Sequence, residues 1–362
     1  MNQKKWIVLL ICVVLLCAIV TGCGSEDATA NGAYTVTVQI EDLKSGEKSE
    51  ETISLVYNGE GLLVECQEVE RKWEYSYDRQ GRKISAAAYD LAGTLTIEYV
   101  YSYNHAGAIA QIERWEHSED SSVCAAKTEY RYFQSGNLAY CCFYVDGTQS
   151  MECYYDENGN LLEELDYYSS ETVSRNAYTY TEDGKLLTSY REQYGEPHIE
   201  EMYEYNEAGF LVRKTEIHTC GSLPADETVT TYSFDSLGRC IRADAVTDQG
   251  VASFAEYTYD AMGNMLSYTQ SGDRSSYVWT YDAQGRMLSC EKTAGNYSVL
   301  CTWVYDAQGN VLEYISGDTR HTFAYSCPGE EMPAEVRKEL TKRLVLLTDL
   351  TLWSWKSLAQ IG

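Results

Sequence analysis

A turn of the form Tyr-Asp-x-x-Gly recurs about every 24 residues through most of this chain, and a repeat of that length limits the fold more than any other feature. The clearest copies are Tyr77-Asp78-Arg79-Gln80-Gly81-Arg82, Tyr155-Asp156-Glu157-Asn158-Gly159-Asn160, Tyr259-Asp260-Ala261-Met262-Gly263-Asn264, Tyr281-Asp282-Ala283-Gln284-Gly285-Arg286 and Tyr305-Asp306-Ala307-Gln308-Gly309-Asn310. The closing glycine stands at 61, 81, 107, 136, 159, 184, 209, 238, 263, 285 and 309, at intervals of 20 to 29 residues. The first pair degrades in some copies, as in Tyr57-Asn58, Tyr103-Asn104, Tyr132-Phe133, Tyr180-Thr181, Tyr205-Asn206 and Phe234-Asp235. Tyr325-Ser326-Cys327-Pro328-Gly329 reads as a last, decayed copy. Asp suits the first position of a type I turn, because its carboxylate accepts a nearby backbone N–H. Gly suits the closing position, where φ is positive.

Between turns the residues alternate as half-buried strands do. Tyr257-Thr258-Tyr259 enters a turn and Asn264-Met265-Leu266-Ser267-Tyr268 leaves it. A second, more variable turn follows near Ser271-Gly272-Asp273. One repeat is therefore two antiparallel strands and two turns. Placing Tyr259 opposite Asn264 puts Tyr257 opposite Leu266, so that aromatic and aliphatic side chains share one face. Residues two past the glycine (Leu161, Leu186, Leu211, Met265, Met287, Val311) are apolar too, as expected of a coiled sheet covered on both faces. The expected fold is all-β: an antiparallel β-hairpin repeat sheet, coiled or solenoid-like, over residues 34–330. Such an array has atypical ends. Tyr34–Ile40 is expected to pair with Thr52–Tyr57 across a Lys44–Lys48 turn and start the sheet. From Pro333 the period becomes helical, with Val336, Leu340, Leu344 and Leu347 on one face. Residues 331–362 are expected to form a helix and tail capping the last edge strand. The alternative is a tail that contacts a partner or membrane through Leu352, Trp353 and Trp355.

The first 22 residues give an address. Lys4 and Lys5 precede an apolar run from Trp6 to Val20, and small residues follow up to Cys23. This pattern is a secretion signal, and its run of about 15 residues is short for a spanning helix. Val20-Thr21-Gly22-Cys23 resembles a bacterial lipobox. That resemblance implies cleavage before Cys23 and diacylglycerol on its thiol, with residues 23–33 as a polar tether. An ordinary signal peptide or an uncleaved anchor is the alternative. The expected location is the bacterial cell membrane, lipid-anchored on the extracytoplasmic face.

The chain carries 55 acidic and 28 basic residues, a formal net charge of −27. Losing Lys4 and Lys5 takes it to −29. A body this acidic repels phosphate backbones, so no nucleic-acid partner is expected. With 32 Tyr, 26 Gly and only 4 Pro, the composition suits pleated sheet and turns. Of 13 cysteines, Cys12 and Cys17 lie in the signal and Cys23 in the lipobox, which leaves ten. A two-residue Gly295-Asn296 loop would set Ala294 opposite Tyr297 and Cys290 opposite Cys301, a geometry open to a disulfide. The same counting across Asp146-Gly147 sets Tyr140 opposite Cys153. Free thiols serving as small apolar residues are the other reading.

The pattern Tyr-x-Tyr-Asp-x-x-Gly-Arg/Asn-Leu/Met, strongest at Tyr75–Arg82, Tyr257–Leu266, Trp279–Leu288 and Trp303–Leu312, resembles the YD repeat of the rearrangement-hotspot (Rhs) family over residues 57–330. The resemblance implies one long antiparallel sheet that spirals into a shell, which in larger members encloses a toxin released by a self-cleaving core. After Tyr325 this chain shows no Asp-Pro-x-Gly-Leu-like core and no toxin-sized domain. About a dozen repeats are also expected to fall short of a closed shell.

Residues with evident chemistry are sparse. His105, His117, His198, His218 and His321 are scattered, with no metal or triad motif among them. The turn aspartates lack the dense ligand spacing of calcium loops. Trp73, Trp115, Trp279 and Trp303 offer either sugar-stacking platforms or sheet-face packing. No catalytic residue, metal or cofactor is expected. The reading is a non-catalytic binding or structural surface that meets the membrane through lipid on Cys23 and binds a glycan or protein ligand. The alternatives are a carbohydrate-binding module for cell-wall or host glycan, and an accessory or remnant of a contact-dependent Rhs-type toxin system.

Overall fold

The turn aspartate organises each hairpin. In a computed structural model describing residues 32–168, 171–221, 224–271, 275–326 and 332–347, Asp260 Oδ1 accepts the N–H groups of Met262 and Asn264 at 2.8 Å each. Its Oδ2 accepts the Asn264 side-chain amide at 2.9 Å. The backbone closes with Asp260 N–H to Asn264 O (2.9 Å) and Gly263 N–H to Asp260 O (3.2 Å). The same backbone pair recurs at every copy from Asn58 to Asp306, and the eleven closing glycines have φ between 76° and 94°. A β-carbon is disfavoured there by local sterics. The lipidation site Cys23, the signal and most of the tether lie outside the described residues, as do Cys327–Gly329, Leu352, Trp353 and Trp355.

Twenty-four strands follow one another in an antiparallel meander, from β1 (Gly32–Asp42) and β2 (Lys48–Tyr57) to β24 (Thr319–Ser326). The segment from Tyr34 pairs with the one ending at Tyr57, as the sequence implied, with Tyr34 opposite Leu55 and Val36 opposite Ile53. The last strand then pairs with the first, from Thr35↔Ser326 to Asp42↔Thr319. This closure corrects the expectation of an open, solenoid-like array with edges to cap, and of too few repeats to close. Pairing the terminal strands satisfies two edges that would otherwise expose unpaired N–H and C=O groups. Arg320 supports the seam, bridging Glu41 (3.2 Å) and Glu313 (3.3 Å).

All eleven repeat turns lie at one rim of the barrel and the variable turns lie at the other. Helix α1 (Ala334–Leu347) caps no edge strand. It lies on the barrel's inner face, where Val336 and Leu340 join Val36, Val38, Ile53 and Leu55, all essentially without solvent contact. Each fully buried aliphatic of this size contributes about 1.5–3 kcal/mol. Arg337 Nη1 ties the helix to the Gln308 carbonyl at 2.8 Å.

The expected register at the repeat turns does not hold: it is one residue out at Tyr259 and two at Tyr257. Between β18 (Ala252–Tyr259) and β19 (Met265–Gln270), Tyr259 pairs with Met265, Thr258 with Ser267 and Tyr257 with Tyr268. Leu266 is the extra residue of a β-bulge. It points outward at 36% exposure, while Met265 turns inward beside the tyrosines. The bulge recurs in every repeat hairpin, which leaves Ile84, Leu162, Leu187, Ile241, Leu288 and Leu312 exposed at the equivalent place. A one-residue slip reverses faces because side chains alternate with period two.

Replacing Gly263 by Ala is expected to cost about 1–2 kcal/mol from backbone strain alone, since its φ is 90° and a β-carbon there meets open space. Gly238→Ala is expected to cost more, because its β-carbon would collide with the Phe210 ring. Urea denaturation of the two variants checks the order. Equal losses would contradict it.

Candidate functional site

Most repeats are fastened to the one before by the turn tyrosine. Eight of these phenols donate to the carbonyl of the residue two past the preceding turn glycine: Tyr77 to Leu63, Tyr103 to Lys83, Tyr132 to Ile109, Tyr180 to Leu161, Tyr205 to Leu186, Tyr259 to Cys240, Tyr281 to Met265 and Tyr325 to Val311, all at 2.6–2.9 Å. The residue just past the glycine reaches the other way. Arg82, Arg239 and Arg286 place their guanidinium over the next turn's tyrosine ring at 4.3, 4.9 and 5.0 Å. Arg239 and Arg286 also donate to the backbone oxygens of Asp260 and Asp306. Where Tyr is replaced by Phe234, Phe210 stacks on it at 5.2 Å.

The turn residues Tyr77, Asp78, Gly81, Tyr155, Asp156, Gly159, Tyr259, Asp260, Gly263, Tyr281, Asp282, Gly285, Tyr305, Asp306 and Gly309 are thus distributed around one rim. They do not converge on a cleft. Hydrogen bonds from the Asn264 and Asn160 side chains, with backbone N–H groups, hold Asp260 and Asp156 below the usual carboxylate range. Cys290 and Cys301 are directly opposed between β21 (Met287–Ala294) and β22 (Tyr297–Tyr305), both as buried free thiols. Burial pushes the Cys290 thiol up to about 12. Trp73, Trp279 and Trp303 pack into the inner aromatic wall. Trp115 lies on the outer face and donates to Glu113 at 3.1 Å.

Two side-chain clusters stand out, and neither was evident in the sequence. The first is on the inner wall. Lys214 on β15 (Leu211–His218) bridges Glu201 on β14 (Glu196–Tyr205) at 2.5 Å and Glu216 at 2.7 Å. Glu201 also accepts the Tyr203 phenol at 2.8 Å and the Ser189 hydroxyl, and His218 contacts Glu216. Partial burial opposes ionisation of Glu201, but these donors win and hold its carboxyl at about 2. Lys214 is raised by the same partners against the same burial. This network is internally satisfied, so it acts as a structural ion cluster.

The second cluster is on the outer wall. Three phenols converge on Glu152 of β10 (Thr148–Tyr155): Tyr140 at 2.5 Å, Tyr167 at 2.5 Å and Tyr154 at 3.1 Å. Arg131 lies 4.9 Å from the Tyr140 ring centre, and the Tyr154 ring, 36% exposed, tilts against Tyr140 at 5.2 Å. Partial burial would raise the Glu152 carboxyl, but the phenol donors outweigh it and keep it ionised. The result is a fixed carboxylate beside an accessible aromatic face. Among the described residues, no three His, Cys, Asp or Glu side chains are arranged to hold a metal ion.

No protein-family model matches the chain, and none of the curated proteins does. Among solved structures, the Photorhabdus luminescens Tc holotoxin pore with a mutated TccC3 is similar at 9% identity and a TM-score of 0.26, covering 75% of this chain and 21% of that one. TcdB2-TccC3 without its hypervariable C-terminal region is similar at 11% identity and 0.24, covering 78% and 22%. A porin-like protein from Bacteroides uniformis reaches 8% and 0.23, covering 81% and 97%. The chain thus spans about a fifth of the two toxin chains, and all three likenesses are remote.

Replacing Lys214 by Met is expected to cost about 2 kcal/mol at neutral pH, because two half-buried carboxylates lose their counter-charge. Glu201 is depressed in the folded state, so its contribution is complete above the unfolded carboxylate range and fades as pH falls toward 2. The variant should lack that contribution, so the gap between the two proteins should be widest at neutral pH and narrow as pH falls, when the parent loses what the variant never had. Urea midpoints measured from pH 7 to pH 3 check this, and parallel curves would refute it.

Proposed function

We propose that this is a lipid-anchored, extracytoplasmic repeat protein whose barrel serves as a non-catalytic binding and structural surface. The observation that carries the reading is the placement of the chain ends. Gly32, where β1 begins, lies nine residues past Cys23 and at the rim of the repeat turns. β24 ends at the same rim. Nine residues reach at most about 30 Å, so lipid on Cys23 would hold that rim toward the bilayer and direct the variable turns away from it. The acidic body suits a tether better than flat contact with anionic headgroups. In a bacterial host fed labelled palmitate, the chain is expected to take up label, and Cys23→Ser is expected to abolish it and release the protein from membranes. Retained label in the variant would overturn the reading.

The outer Glu152 cluster favours one ligand class for this surface, carbohydrate. A sugar ring stacks on an exposed phenol face, and a fixed carboxylate accepts its hydroxyl protons. On a glycan array, Tyr154→Ala should weaken binding by about tenfold, the equivalent of about 1.4 kcal/mol. A chain that binds no glycan, or binds equally well without the Tyr154 ring, would remove carbohydrate from consideration.

A further inference from the structure

Counting across the Asp146-Gly147 turn sets Tyr140 against Cys153, but the structure does not. A bulge between Gln149 and Met151 on β10 moves the register by one, so that Cys141 on β9 (Leu138–Val145) is directly opposite Cys153. Both side chains face inward and are buried, at 8% and 5% exposure. Cys142 is also buried but faces outward, opposite Glu152. The only other opposed cysteines among the described residues are Cys290 and Cys301. Cys141 and Cys290 both stand five residues past a turn glycine, Gly136 and Gly285. The two pairs therefore lie at the same level of the inner wall, each in a hairpin that closes at the variable rim. Cys66 occupies the same level but faces Leu55 and Trp73.

We infer that Cys141 and Cys153 are a disulfide-forming pair, which closes across β9 and β10 as the hairpin folds in the presence of a disulfide oxidant. Directly opposed residues of antiparallel strands have β-carbons about 4.5–5.5 Å apart, close to the span that a disulfide bridges. The oxidant is an oxidised dithiol protein or oxidised glutathione. One cysteine thiolate attacks its S–S bond, forming a mixed disulfide and expelling one thiolate of the oxidant. The second cysteine, as thiolate, then attacks the Cys sulfur of the mixed disulfide and expels the other. Two electrons pass to the oxidant, which leaves as two thiols carrying the two protons that the cysteines lose. Mutual hydrogen bonding supports the exchange, since it lowers the Cys141 thiol and raises Cys153, so that one member is the readier nucleophile. Burial of both sulfurs places the reaction before the barrel is complete. The bond would also fix the two strands whose outer faces carry Tyr140, Glu152 and Tyr154.

The test is to refold the purified chain from urea in oxidised and reduced glutathione, alkylate the remaining thiols in denaturant and map the peptides without reduction. A protease specific for acidic residues can cut at Asp146 and Glu152, which separate Cys153 from Cys141 and Cys142. The expected product is a linked peptide pair joining residues 141 and 153, present also in Cys142→Ser and absent in Cys153→Ser. Cys153 fully alkylated in a chain that shows a cooperative urea transition would overturn the inference, and so would linkage of Cys153 through Cys142. The oxidant is supplied in the experiment, so the result is independent of whether Cys23 is lipidated.

Discussion

One repeated bond stitches the barrel's hairpins together at eight places, from the phenol of a turn tyrosine to a carbonyl of the preceding repeat. Hairpins pair with their neighbours through backbone ladders, but a ladder alone permits slippage. The phenol contact adds a fixed point at eight junctions, two residues past the previous glycine, as in Tyr259 to Cys240 and Tyr281 to Met265. The accepting carbonyl belongs to the residue beside the bulge, and a net hydrogen bond of this kind is worth about 1 kcal/mol. The arginines at 82, 239 and 286 close three of the junctions from the opposite direction. The Phe210–Phe234 stack shows the junction adapting, since an apolar residue past the glycine accompanies loss of the hydroxyl in the next repeat.

Much of this could be read from the residues. The turn aspartates and glycines are legible because their roles are local. The pairing of β1 with β2 is legible in the alternation on both sides of one turn, and the register of Cys290 with Cys301 in a count across the Gly295-Asn296 loop. The bulge at each turn escapes simple counting across the loop, although it recurs beside the same turn in all eleven repeat hairpins. One extra residue was enough to put Leu266 outside and Met265 inside. The bulge in β10 hid the Cys141–Cys153 pair in the same way. Closure is non-local: residues 35–42 meet residues 319–326, and no feature of either segment announces the other. Tyr89-Asp90-Leu91-Ala92-Gly93 fits the repeat pattern and makes the same backbone turn, yet it stands at the variable rim. The motif therefore encodes a turn and not its address.

The inner wall is divided in composition. Strands near the seam present Val36, Ile53, Leu55, Trp279 and Trp303 to the helix, forming a dry core. Across the barrel the equivalent level carries Ser189 and Lys214, with Glu201 and Glu216 beside them. The position five past each turn glycine runs from Cys66 and Ala86 through Lys214 to Tyr314, always inward, so one register position can be written in apolar or ionic residues without altering the backbone. The backbone junctions set the frame, and the chemistry of each arc is then free to differ. The outer face shows the same freedom, with the Glu152 cluster built on an ordinary hairpin.

Antiparallel closure places an arithmetic limit on this architecture. The seam between β1 and β24 is antiparallel only because the number of strands is even. Adding or removing one strand would bring the terminal strands together in parallel, with a different ladder, and would send the two chain ends to opposite rims. A hairpin added or deleted as a unit leaves the seam, the junction chemistry and the exit side of both ends unchanged. The circumference of such a barrel can therefore grow or shrink by duplication in steps of one whole repeat, and in no smaller step.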